Sequence, residues 1–135
     1  MRDFARRLTV YEARVERSSE TNTPPAFHVS DKLRAHLAVF MGKAGFRELL
    51  SCALPRANAE VPWLSAVRVR ADGSLEGLEE LKAHHDPEEL FEGGVVLTAQ
   101  LLGLLAGFIG EPLTLRFVRE VWPAVPLEDL EFGKQ

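Results

Sequence analysis

Cysteine is almost absent: Cys52 is the one thiol in 135 residues. A single thiol excludes an internal disulfide and a cysteine-based zinc site. Leu49, Leu50, Ala53 and Leu54 surround it, so Cys52 is expected to be a buried structural thiol. A reducing cytosol suits this usage. Positive charge is outnumbered, with 16 Lys and Arg against 20 Asp and Glu. The formal net charge of -4 excludes a uniformly basic nucleic-acid coat. The start, Met1-Arg2-Asp3-Phe4-Ala5-Arg6-Arg7, is charged and no long apolar run follows it, so no secretory leader is expected.

Catalytic signatures are missing as well. The chain holds no Gly-x-Ser-x-Gly, no glycine loop ending in Lys-Ser/Thr and no Gly-x-Gly-x-x-Gly after a strand. His84-His85-Asp86-Pro87-Glu88-Glu89 gathers metal-ligand residue types. Adjacent histidines point in different directions, however, and no His-Glu-x-x-His pattern accompanies them. The segment reads as one helix end followed by the next helix start. No catalytic residue, no cofactor and no metal is expected.

What is present is an ordinary globular composition, 46% apolar and 27% charged, in a length that suits one domain. Residues 4–15 carry Phe4, Leu8, Tyr11 and Val15 at helical spacing. Arginines, among them Arg6, Arg7 and Arg14, decorate this segment. Residues 1–17 are therefore expected to be a basic amphipathic arm or helix. The polar stretch ending in Pro24-Pro25 makes 18–26 a linker. A helical domain over 27–123 and a polar tail over 124–135 complete the division.

Within the domain, Ser30 is an expected N-cap. Leu33, Leu37 and Phe40 follow on one face, and Gly42 marks a joint. A second helix starts near Lys43 and is expected to stop or kink at Pro55. Val67, Val69 and Ala71 alternate with Arg68 and Arg70, the period of a half-buried strand. Residues 8–13 or a second subunit are its candidate partners, unless the segment is merely extended coil. Leu75, Leu78 and Leu81 suggest a short helix. Asp86-Pro87-Glu88-Glu89 is the strongest local signal: an N-cap, a proline at the first helical position and two carboxylates at the positive helix end. The helix it opens runs to about 109, and another starts at Pro112. The expected fold is all-α, with five to six helices around a central apolar helix at about 87–109 and room for one short strand pair near 66–71.

Two features bear on function. Residues 93–110 form an uncharged run of 18 residues, the lower edge of a bilayer span. A helix apolar all round is equally the buried hub of a bundle. Gln100 at mid-span and Glu111-Pro112 directly after favour the hub. Gly103 and Gly107, one turn apart, let a second helix come close, either the helix after Pro112 or a copy in another subunit. The second feature is charge segregation: residues 1–70 carry +5 and residues 71–135 carry -9. Opposite halves attract within a fold or between subunits, the basic half can bind phosphate-rich partners, or the charges are solvated faces with no partner.

These observations favour a small cytoplasmic, non-enzymatic accessory protein of bacterial style that acts by burying apolar helical faces. Its partner is a second copy or a larger protein. The expected contact residues are Gly103, Gly107, Arg6, Arg7, Arg14, Val67, Arg68, Val69 and Arg70. Nucleic acid is disfavoured, because Phe40, Phe46 and Trp63 look like core rather than an exposed stacking surface. The competing readings are a membrane-associated protein inserting 93–110, and a ligand-binding bundle or small enzyme with a dispersed site.

Overall fold

The computed structural model describes residues 2–15, 25–71 and 75–122. Within them the chain forms five α-helices and one two-residue strand pair: α1 (Arg2–Val15), α2 (Pro25–Glu60), a 3-10 turn (Pro62–Ala66), β1 (Arg68–Val69), β2 (Leu75–Glu76), α3 (Leu78–His84), α4 (Pro87–Ile109) and α5 (Glu111–Val121). The all-α architecture around a central apolar helix is thus present, with the strand pair near 66–71. Residues 18–24 of the expected linker and the expected tail at 124–135 lie outside the described residues.

Helix α4 is the hub. Asp86 caps it: the Glu89 amide donates to Asp86 Oδ1 at 2.8 Å, and the Asp86 amide donates to Glu89 Oε1 at 3.1 Å. This reciprocal capping box satisfies two amides at the helix entrance. From there α4 packs most extensively on α2, and also on α1 and α5. Leu97, Leu101, Leu102 and Leu105 are fully buried, and they meet Leu33, Leu37, Phe46, Leu50, Ala53 and Ala57 of α2 in one core. Leu8 of α1, Val118 of α5 and Trp122 just beyond it close that core. Ala5, Leu8 and Thr9 are the buried face of α1, and the Thr9 hydroxyl folds back to donate to the Ala5 carbonyl at 2.8 Å.

Helix α2 keeps the expected joint at Gly42 and differs from expectation at its start and at Pro55. It begins at Pro25 rather than at Ser30, because a proline is preorganised for the first helical position. It bends at Gly42, where φ 81° and ψ 160° lie in a region open essentially to glycine alone. It then runs through Pro55 to Glu60 without a further break in helical backbone. Pro55 has no amide to offer the Ser51 carbonyl, but both residues are exposed, where an unpaired backbone acceptor costs less than in the core.

The strand at 68–69 pairs with 75–76 in an antiparallel register, Arg68 opposite Glu76 and Val69 opposite Leu75. Residues 8–13 are not its partner, because they belong to α1, whose buried face packs on α2 and α4. Leu75 accordingly sits in β2, and the short helix begins at Leu78.

Candidate functional site

The residues singled out by the sequence occupy three separate places. Arg6 reaches Glu92 at the start of α4: its Nη2 lies 3.1 Å from Glu92 Oε2, and Nη1 meets Oε1 in a forked pair. The Arg6 guanidinium also lies 6.0 Å from the centre of the Phe91 ring. The basic first helix thus meets the acidic half of the chain in a bidentate contact. Arg7 is exposed, and the Arg14 side chain lies outside the described residues. Val67 is buried in the core, Val69 is half-buried, and Arg68 is exposed. Arg70 pairs with Glu76 across the strand pair, Nε to Oε2 at 3.4 Å. Gly103 and Gly107 sit on the far half of α4, with Gly103 about 16 Å along the axis from Glu92.

Gly103 and Gly107 are exposed, and a Cβ placed on either meets nothing within 4 Å. Among the described residues no helix uses their bare backbone, and α5 does not pack there. The close approach on α4 occurs at Gly93 instead. A Cβ on Gly93 lands 2.6 Å from Trp63 Cζ2, and Trp63 also stacks on His85, with ring centres 4.6 Å apart. Gly93→Ala is therefore expected to lower stability by about 1–3 kcal/mol through overpacking, although alanine is the better helix former by about 1 kcal/mol. Chemical denaturation followed by tryptophan fluorescence measures this.

Beside the open glycines lies an apolar groove of about 440 Å³ between α4 and the stretch of α2 that runs from its bend to Cys52. Met41, Gly45, Leu49 and Cys52 line it from α2, and Leu104 and Phe108 line it from α4; Glu48 stands at its edge. Phe108 is 75% exposed. Val39 and Phe40, next to the bend, are exposed as well, and Phe40 meets Phe117 edge-on at 4.9 Å. Phe40 is thus a rim residue rather than core. Cys52 is exposed and not buried: Phe46, Leu50, Ala53 and Ala57 form the inward face of this helix, and Cys52 falls on the other side.

A second cleft, of about 370 Å³, lies where Glu60, Trp63, Asp86, Glu88, Glu89, Glu92 and Gly93 meet. Most of its carboxylates are engaged: Asp86 and Glu89 in the capping box, Glu92 with Arg6, and Glu60 with the Gln100 amide at 3.3 Å. Among the described residues no group of three or more His, Cys, Asp or Glu is placed to hold a metal ion.

Sequence reasoning named the glycine pair but missed the groove beside it. The signal was the spacing of Glu48, Cys52 and Arg56, which sets them on one helical stripe away from the buried positions. Comparison with known protein families, with curated proteins and with solved structures finds no match to this chain.

Proposed function

We propose that the protein is a small, non-enzymatic helical module that self-associates by burying the groove and the open glycine face of α4. The observation that carries this reading is Phe108. A phenylalanine 75% exposed, beside an apolar groove and two uncovered glycines, forms a contiguous apolar surface of the kind that marks interaction sites. Membrane insertion of α4 is the reading it displaces. By length and composition α4 could cross a bilayer, yet 56% of its apolar window is already buried against the rest of the fold. Insertion would have to uncover the core that α4 shares with α2.

Sedimentation velocity in detergent-free buffer tests the proposal. The expected result is a concentration-dependent dimer. Phe108→Asp should weaken that dimer at least about tenfold, because covering a phenylalanine contributes roughly 1.5–3 kcal/mol. The folded monomer should keep its melting temperature, since the side chain is mostly in water already. A wild-type chain that stays monomeric at every concentration overturns the reading.

A further inference from the structure

Resting on that reading, we propose that the second copy docks antiparallel along α2, across a two-fold axis at Cys52. The proposal is carried by charge complementarity on one stripe. Residues 43–60 hold helical backbone throughout. Glu48, Cys52 and Arg56 are spaced by four, so they stand in one row, about 6 Å apart along the axis. All three are exposed. Neither Glu48 nor Arg56 forms an ion pair with another described residue. Phe46, Leu50, Ala53 and Ala57 fill the opposite face, so the row cannot turn inward.

A two-fold contact is isologous: if one residue faces a second, the second faces the first. Cys52 is midway between Glu48 and Arg56. With the axis there, Glu48 of each copy meets Arg56 of the other, giving two ion pairs from one register. The same register sets Leu49 opposite Pro55 and Gly45 opposite Ala59, so no like charges meet along the row. A parallel pairing would set Glu48 on Glu48 and Arg56 on Arg56, and like charges at such spacing repel. Leu104 and Phe108 on α4 then supply the apolar flank of the contact.

Charge reversal tests the register in the full chain. E48K alone should weaken the homodimer about fivefold or more, because each of its two pairs becomes a repulsion. R56E alone should do the same. An equimolar mixture of the two variants should recover wild-type affinity to within about twofold, since the mixed dimer again sets opposite charges face to face. Far-UV circular dichroism should show all of them folded. Independently, a short bis-maleimide should join wild-type chains into a covalent dimer, which can form only through Cys52. The same reagent should leave Phe108→Asp largely uncoupled at the same protein concentration. A wild-type dimer that resists the cross-linker and variants that do not rescue each other would overturn this register while leaving self-association intact. A wild-type chain that is monomeric throughout overturns both, and sedimentation of that monomer with phosphatidylcholine vesicles would assign the face to a lipid surface instead.

Discussion

Leu101→Ala is expected to lower the folding stability by about 3–5 kcal/mol. Leu101 is fully buried on α4, in the cluster that also holds Leu97, Leu102 and Leu105. Truncation removes the transfer free energy of three carbons and leaves a cavity with little freedom to close. The site has little room to relax because α2, α1 and α5 all pack on α4. A domain of this size is stable by roughly 5–15 kcal/mol in total, so the loss should be plain in urea denaturation. Leu104→Ala makes the contrast. Leu104 is half-buried and lines the groove. Its truncation should cost stability less and weaken association more. If both leucines behaved alike in both measurements, α4 would not have one face for the core and one for a partner.

The parts of the fold that could be read from the sequence are those set by short-range chemistry. Asp86-Pro87-Glu88-Glu89 specifies a helix entrance within four residues, and the capping box stands there. Gly42 tolerates a backbone conformation denied to other residues, so its role as a joint was legible even though the helices on either side were not fully bounded. Which face of α4 is covered was not legible. An uncharged run has no polar side to mark the solvent, so Gly103 and Gly107 looked like the packed pair when Gly93 is the packed one. That contact depends on Trp63, 30 positions earlier, lying over the helix, and no local pattern reports it. Phe40 misled for a related reason. Its spacing from Leu33 and Leu37 fits a buried stripe, but the bend at Gly42 falls two residues later and leaves it at the rim. The expected contact residues were scattered for the same cause: Arg6, Val67–Arg70 and Gly103 were each plausible alone, and only tertiary packing separates them.

Charge segregation along the chain suggests that the basic first helix is held by the acidic stretch, and the packing of α1 puts a number on how far that holds. Leu8→Ala should cost about 2–4 kcal/mol, whereas Arg6→Ala should cost less than about 1 kcal/mol. Leu8 has no exposed surface and sits in the main core, so its truncation opens a cavity between α1, α2 and α4. The Arg6–Glu92 pair is bidentate, which favours it over an ordinary surface pair. Its side chains are nonetheless 41% and 47% exposed, so water and ions screen the attraction. Sodium chloride at 1 M shortens the screening length to about 3 Å, and the melting temperature should fall by no more than the Arg6→Ala variant does. Burial of Ala5, Leu8 and Thr9 is then what docks α1, and the forked contact to Glu92 sets its register along α4. A loss on Arg6→Ala as large as that on Leu8→Ala, or unfolding of α1 in high salt, would reverse that order and make electrostatics the principal tether.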